Sequence, residues 1–266
     1  MGILRSDRVS GLGGANAING STFFGGSLKG GSYLRVDVGS TTDFTFGTGD
    51  FTIEFWVYPQ SIAHQQHFFD NRGTTSTNTL LLYMTSSGIV TYYGNGDARI
   101  SAGSALTVDT WTHVALVRSS GSTKLYFDGT QTGSTYSDSI NLVAPDKGSS
   151  FIGSNGGTGG IEPTDGGFFD GYLSNFRIVK GTAVYTAAFT APTTRLINID
   201  GTVLLTCQSP GDVEKTEGGN AVLASSWESG SSQPKASHIA PDVGEDYGTT
   251  FADNTKFDTL SYMVPP

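Results

Sequence analysis

The sequence has little cysteine and no long apolar run. Cys207 is its one cysteine, so no disulfide can form within the chain. Its place in the apolar run 203–207 predicts a small, buried side chain. No stretch approaches the roughly 20 apolar residues of a membrane helix, which predicts no membrane insertion. Residues 1–7 reach charged side chains at once, so we expect no signal peptide and folding in a cytoplasm.

Basic residues are also scarce. Lys and Arg number 15 against 24 Asp and Glu, and the formal net charge is −9. Nucleic-acid binding depends on clustered basic side chains that neutralise phosphates, and no such cluster occurs in the sequence. The sequence therefore predicts no nucleic-acid partner, whereas the acidic balance could attract a cation.

The abundant residues favour strands and turns. Glycine occurs 37 times, and aromatic residues make up 11% of the chain. In residues 51–58 apolar side chains alternate along the chain, and Pro59 ends the run. About ten or more short strands, separated by turns such as Asp128-Gly129, predict an all-β fold. The spacing favours an antiparallel two-sheet jelly-roll sandwich over alternating strands and helices.

Residues 51–57 are predicted to form a central strand of the core. Four large apolar residues share one face, and aromatic residues stand on the other, so both faces of this strand are expected to be covered in part. On this basis removal of the Phe55 side chain should destabilise the protein strongly. Removal of the Thr52 side chain, on the other face, should change little.

Composition divides the chain into three parts. Residues 1–18 are polar and are predicted to be an N-terminal arm, and residues 19–207 carry the strands of the sandwich. In residues 208–266 prolines, glycines and charges increase, although apolar residues recur near the end. We expect a C-terminal extended arm that packs on the sandwich or on a neighbouring subunit.

Five ordered segments resemble one known family. They are residues 49–59, 111–118, 125–129, 151–153 and 169–178. They resemble, in the same order, the strands of laminin-G-like, concanavalin A-like domains. The resemblance covers roughly residues 20–207 and implies a concanavalin A-like sandwich, a fold shared by lectins and glucanases.

A narrower resemblance concerns the context of the protein. Residues 5–8, 18–21, 179–185 and 204–208 resemble segments in structural proteins of tailed phages, such as cyanophages. Such proteins are tail-fibre or head-decorating parts. The resemblance implies a virion protein that folds in the host cytoplasm, contacts other virion proteins through its arms and can form a homo-oligomer.

The glucanases of this fold raise the question of catalysis. Retaining enzymes need two carboxylates about 5–5.5 Å apart, which alternate residues of one strand can supply. Glu54 stands alone on its strand, with Thr52 and Trp56 at the positions where partners would lie. Glu245 and Asp246 are adjacent and would point to opposite faces of a strand. The sequence therefore predicts a protein that is not an enzyme.

Related sandwiches often bind calcium at a loop rim, and two segments here carry suitable oxygen ligands. Asp70 and Asn71 lie in one loop, and Asp165 and Asp170 bound a second one. These four side chains could converge on a calcium ion. Alternatively, Asp70 pairs with Arg72 and Asp170 only turns the chain.

Exposed aromatic rings are the usual platforms for sugars. The candidates are Trp56, Tyr58, Tyr92, Tyr93 and Tyr126, although ordinary sheet packing could account for each of them. The sequence thus favours a non-catalytic phage structural protein, either a head-decorating fibre or a tail-fibre adhesin, that contacts host surface glycans. The alternatives are a stand-alone carbohydrate-binding module and, less favoured, a glycan hydrolase.

Overall fold

A computed structural model describes residues 22–26, 34–37, 42–73, 77–146, 149–156, 167–194, 196–207 and 222–225. These residues form strands, turns and loops without a helix that could cross a membrane. The prediction of an all-β antiparallel sandwich is confirmed.

Fourteen strands occur within the described ranges. In chain order they are β1 (Thr22–Gly26), β2 (Leu34–Asp37), β3 (Phe51–Pro59), β4 (Gln66–Asp70), β5 (Leu80–Met84), β6 (Ile89–Gly94), β7 (Asp97–Ala105), β8 (Thr112–Ser119), β9 (Ser122–Phe127), β10 (Thr130–Ser137), β11 (Ser149–Ile152), β12 (Gly171–Lys180), β13 (Thr202–Thr206) and β14 (Val222–Ser225).

The strands form two seven-stranded antiparallel sheets. Sheet A has the order β1-β12-β3-β8-β9-β10, with β13 also paired to β12. Sheet B has the order β14-β2-β11-β4-β5-β6-β7. The inner faces of the two sheets enclose one apolar core, as expected for face-to-face sheet packing.

Strand β3 lies inside sheet A, between β12 and β8, as its sequence predicts. Its inward-facing rings belong to a dense aromatic cluster: Phe55 stacks on Phe176 at 5.0 Å and also packs against Phe68 at 5.3 Å. Cys207 is fully buried in the same core, as expected for a small apolar side chain.

The outward face of β3 is also buried, and this corrects the expectation for Thr52. Its hydroxyl donates to the carbonyl of Thr182 at 3.1 Å and accepts from the amide of Val184 at 2.9 Å. Thr52 therefore attaches a later segment of the chain to sheet A, and its removal is not neutral.

Short turns connect neighbouring strands where the sequence predicts them. Asp128 and Gly129 both have positive φ, which is the backbone geometry of the turns that match the twist of a hairpin. This turn joins β9 to β10, and the predicted hairpin around residues 86–88 joins β5 to β6.

Part of the C-terminal arm contributes to the sandwich. Strand β14 pairs with β2 in sheet B, with Val222 opposite Asp37. Residues 1–18 and the rest of the arm, residues 208–221 and 226–266, lie outside the described residues.

We predict that Phe55→Ala lowers the free energy of unfolding by about 3–5 kcal/mol, because it leaves a cavity among stacked rings. A urea melt at neutral pH measures the loss. Ile197→Ala is the matched control, since this apolar side chain is 68% exposed and should change stability little. Equal midpoints for Phe55→Ala and the parent would contradict the position of Phe55 in the core.

Candidate functional site

The outer face of sheet A is organised as rows of side chains that run across the strands. One row aligns Tyr172 of β12 with Tyr58 of β3, beside Trp111, which directly precedes β8. The next row aligns Ser174 with Trp56 and His113, and the row after it aligns Arg177 with Glu54. On β3 adjacent rows are two residues apart because side chains alternate across a strand. On β12 a bulge between Ser174 and Arg177 adds one residue.

Glu54 is the centre of a buried polar network. Its carboxylate accepts hydrogen bonds from Nε and Nη2 of Arg177, the first at 2.9 Å, and from the hydroxyl of Tyr185 at 2.8 Å. Nε2 of His113 lies 3.2 Å from the same carboxylate. All four side chains come from different parts of the chain, so the network ties β3, β8, β12 and the segment after β12 together.

The surroundings of Glu54 control its ionisation. Burial by itself would raise the pKa of this carboxyl, but hydrogen bonds and electrostatic attraction from His113 and Arg177 hold the pKa below its ordinary value. Glu54 is therefore an ionised structural group. A general acid would need the opposite shift and contact with solvent or substrate.

A covering segment, defined as residues 181–194 and 196–197, lies over these inner rows. Tyr185 and Phe189 stack at 3.6 Å and pack on Tyr126 and on the ring of His113. Arg177 also donates to the carbonyl of Ile197 at 2.9 Å. The amide of Phe189 donates to the carbonyl of Gly129, where a side chain would collide with the covering segment.

The row of Tyr172, Tyr58 and Trp111 is less covered, and we call it the aromatic row. All three rings are half-buried. The Tyr58 ring lies 5.4 Å from that of Trp111 and 5.8 Å from that of Tyr172. The Tyr58 hydroxyl also donates to the exposed carboxylate of Asp109; burial and this acidic neighbour raise the pKa of the phenol. Aromatic surface and a polar acceptor thus meet at one end of the sheet.

The structure corrects three of the predicted sugar platforms. Trp56 and Tyr126 lie under the covered part of sheet A and are 3% and 1% exposed. Tyr92 points into the core, where its hydroxyl donates to Asp138 at 3.1 Å. None of these rings presents a face to a ligand. Tyr58 and Tyr93 are half-buried, so each still has ring surface that a sugar can contact. Tyr93 lies on the outer face of sheet B.

Two of the predicted calcium ligands, Asp70 and Asn71, already have partners. Asp70 pairs with Arg72 at 2.8 Å, the alternative that the sequence left open. The Asn71 amide donates to the carbonyl of Phe44 and accepts from the hydroxyl of Ser150. Asp170 is buried, and Asp165 lies outside the described residues. In the part of the chain that the structure describes, no three acidic, histidine or cysteine side chains form a metal cluster.

Two members of the aromatic row, Trp111 and Tyr172, were absent from the predicted platforms. Both belong to segments that resemble the family's strands, and both are aromatic. What the sequence does not reveal is the cross-strand register that places them beside Tyr58. Tyr83, a neighbour of Tyr93 on sheet B, was missed for the same reason.

Comparison with known proteins identifies the family. Residues 28–187, more than half of the chain, match the model of the concanavalin A-like lectin/glucanases superfamily. The chain belongs to this superfamily. No curated protein sequence matches it.

Several solved structures resemble this chain at low sequence identity. A candidate carbohydrate-binding protein from Bacteroides ovatus is 19% identical, with a TM-score of 0.57 over 78% of this chain. The chain spans 58% of the length of that protein, and the likeness shows the fold. A pentraxin from Limulus polyphemus is 16% identical, with a TM-score of 0.42, over 77% of this chain and 94% of its own. Domains LG4-5 of the mouse laminin α1 chain are also 16% identical, with a TM-score of 0.43, over 68% of this chain and 48% of their own.

We predict that Glu54→Gln costs about 3–5 kcal/mol at neutral pH, because it leaves Arg177 buried without its counter-charge. The native pKa of Glu54 lies below its ordinary value of 4.5, so its ionised form stabilises the fold above that pH. This stabilisation is lost as the pH falls through the lowered native pKa. Urea melts from neutral pH to about pH 3 should therefore show a shallower acid loss in Glu54→Gln than in the parent. Parallel acid profiles of the two proteins would contradict this.

We predict that Thr52→Ala lowers stability by about 1–3 kcal/mol, since it leaves the Val184 amide without its acceptor. Thr52→Ser keeps the hydroxyl and is the matched control. Thermal melts measure both variants. Hydrogen exchange at Val184 should accelerate in Thr52→Ala only; unchanged exchange there would show that Thr52 does not hold the covering segment.

Proposed function

We propose that the chain is a non-catalytic structural component of a phage particle whose sandwich binds host surface glycans through the aromatic row. The observation that carries the glycan-binding part is the half-buried trio of Tyr172, Tyr58 and Trp111 at the uncovered end of sheet A. Membership of a superfamily that includes lectins supports it. So does the fold shared with the candidate carbohydrate-binding protein from Bacteroides ovatus.

The aromatic row suits a sugar for two physical reasons. The C–H face of a sugar ring is apolar and is desolvated favourably against aromatic rings, which lose little conformational freedom on binding. A sugar also needs a few well-placed polar groups, and the Asp109 carboxylate beside Tyr58 can accept a hydrogen bond from a sugar hydroxyl. Tyr172 and Tyr58 stand on paired strands, and Trp111 directly precedes the neighbouring strand β8, so the platform is rigid before a ligand arrives.

We propose a protein without catalytic activity because of the surroundings of Glu54. Its hydrogen-bonding partners are Arg177, His113 and Tyr185, none of which is the second carboxylate that glycoside hydrolysis requires. The side chain is also fully buried below the covering segment. Glu54 therefore cannot reach a glycosidic bond in this arrangement.

One observation supports the assignment to a phage particle, either as a head-decorating fibre or as a tail fibre. It is the resemblance of residues 5–8, 18–21, 179–185 and 204–208 to phage structural proteins. In this proposal the protein folds in the host cytoplasm and joins other virion proteins through its two arms. Strand β14 supports a role for the C-terminal arm in packing, because it extends sheet B. A calcium ion at the loop rim stays a prediction.

We predict that Trp111→Ala weakens binding to host-cell polysaccharide roughly tenfold or more, since a tryptophan in a binding surface commonly contributes more than about 1 kcal/mol. Binding is measured by biolayer interferometry on immobilised polysaccharide, which should be recovered uncut. Ile197→Ala removes an exposed apolar side chain outside the aromatic row and serves as the control. Equal loss in both variants, or none in Trp111→Ala, would remove the aromatic row from the site.

We predict that the chain is present in purified phage particles. Antibodies raised against the sandwich should label a fixed position, head or tail, in immunogold electron micrographs of particles from lysed hosts. Labelling confined to the soluble fraction of the lysate would favour a stand-alone carbohydrate-binding module instead.

A further inference from the structure

The outer face of sheet B carries a second polar and aromatic surface, on the side of the sandwich opposite the aromatic row. Leu82 of β5 and Tyr92 of β6 point into the core, so their neighbours Tyr83 and Tyr93 point outward. Both outward tyrosines are half-buried. Arg72, just after β4, lies close enough to both phenols for them to influence its ionisation.

Asp70 holds Arg72 in one orientation. Nε and Nη2 of Arg72 donate to the two carboxylate oxygens at 2.9 and 2.8 Å, which is the bidentate geometry of a strong arginine–carboxylate pair. The backbone amides of Arg72 and Gly156 donate to the same carboxylate at 2.9 Å each. The four donors satisfy Asp70 and fix the plane of the guanidinium group.

The pair leaves donors of Arg72 available. A guanidinium group has five N–H groups, and the two bonds to Asp70 leave three of them without a partner among the described residues. The Arg72 side chain is 24% exposed, while that of Asp70 is 2% exposed. Burial by itself would lower the pKa of Arg72, but Asp70 and the nearby phenols raise it, so the group stays charged.

His67 completes the support of this surface. Its ring packs on Tyr83 at 5.9 Å, and Nδ1 lies 2.8 Å from the carbonyl of Gly167. Burial lowers the pKa of His67, so the imidazole is neutral at neutral pH. The ring therefore fixes Tyr83 without adding charge, and we call Arg72, Asp70, Tyr83 and Tyr93 the arginine–tyrosine patch.

We propose that the arginine–tyrosine patch is a second glycan-binding site, specific for neutral sugars, so that one chain binds glycan on two opposite faces. The N–H groups of Arg72 that Asp70 does not use donate to neighbouring hydroxyl oxygens of a sugar, and the rings of Tyr83 and Tyr93 contact its C–H face. Sites for sugars combine these elements: an apolar platform and a few fixed polar groups.

The neutral class of sugar follows from the charge balance. The positive charge of Arg72 is already matched by Asp70 at 2.8 Å, so an anionic ligand would meet a nearby carboxylate as well as the guanidinium group. The chain also carries a net charge of −9, which repels acidic polysaccharides at low salt. A neutral hydroxyl gains the hydrogen bonds of Arg72 without this repulsion.

The experiment measures binding of the full chain to immobilised neutral polysaccharides (dextran, mannan and galactan) and to acidic ones (alginate and heparin). The variants are Arg72→Lys, Tyr93→Ala and Trp111→Ala. Arg72→Lys keeps the charge but loses the bidentate geometry. Tyr136→Ala, a half-buried tyrosine outside the arginine–tyrosine patch, is the matched control. Urea melts confirm that each variant is folded.

We expect at least one neutral polysaccharide to bind Tyr93→Ala and Arg72→Lys roughly tenfold more weakly than the parent, with little dependence on salt. Trp111→Ala should keep this component, because the two sites use different residues. If the parent binds but neither variant is weakened, the patch is not a site, while the aromatic row can still be tested by Trp111→Ala. If the two patch variants lose only salt-sensitive binding to acidic polysaccharides, the proposed specificity for neutral sugars is wrong. If the parent binds no polysaccharide, both proposed sites are wrong.

Discussion

The fold depends on how the buried carboxylate of Glu54 is compensated. A charge removed from water in the middle of a sheet is costly unless ionic and hydrogen-bonding partners surround it. Here those partners are Arg177 on β12, His113 on β8 and Tyr185 on the covering segment. The same contacts that stabilise the carboxylate therefore fix the register of three adjacent strands and help to attach the covering segment to sheet A. Apolar residues in place of the network could preserve stability, but they would not select one register for the three strands.

The length of the covering segment decides which aromatic rings of sheet A can meet a ligand. Trp56 and Tyr58 are two residues apart on the same face of β3, yet Trp56 is buried and Tyr58 is half-exposed. The stacked pair of Tyr185 and Phe189 packs on His113, in the row of Trp56, and Phe189 also packs on Tyr126, in the row of Glu54. The aromatic row lies past the end of this cover. One part of the outer face of sheet A is thus used for packing under the covering segment, and the other part stays accessible to a ligand.

Much of the sandwich could be predicted because local patterns determine it. The alternation in β3 and the Asp128-Gly129 turn are visible in the sequence, and both are found in the structure. Strands β7 and β10 were not predicted, because most of their residues are exposed and an edge strand has little apolar alternation. Tyr92 and Tyr93 show that the direction of a side chain is equally hard to predict from the sequence. Adjacent residues of a strand face opposite ways, but aromatic residues on both faces leave no pattern that says which one points into the core.

The buried acids of the two outer faces serve to orient neighbouring side chains. Catalysis by a carboxylic acid requires a raised pKa and access to the substrate, whereas Glu54 has a lowered pKa and lies under the covering segment. Asp70, the buried acid of the opposite face, is likewise occupied by four N–H donors. Each acid orients a neighbouring side chain: Glu54 holds Tyr185 and Arg177, and Asp70 holds Arg72. Ionised carboxylates used in this way make the surfaces rigid, and rigid surfaces lose less entropy when a sugar binds.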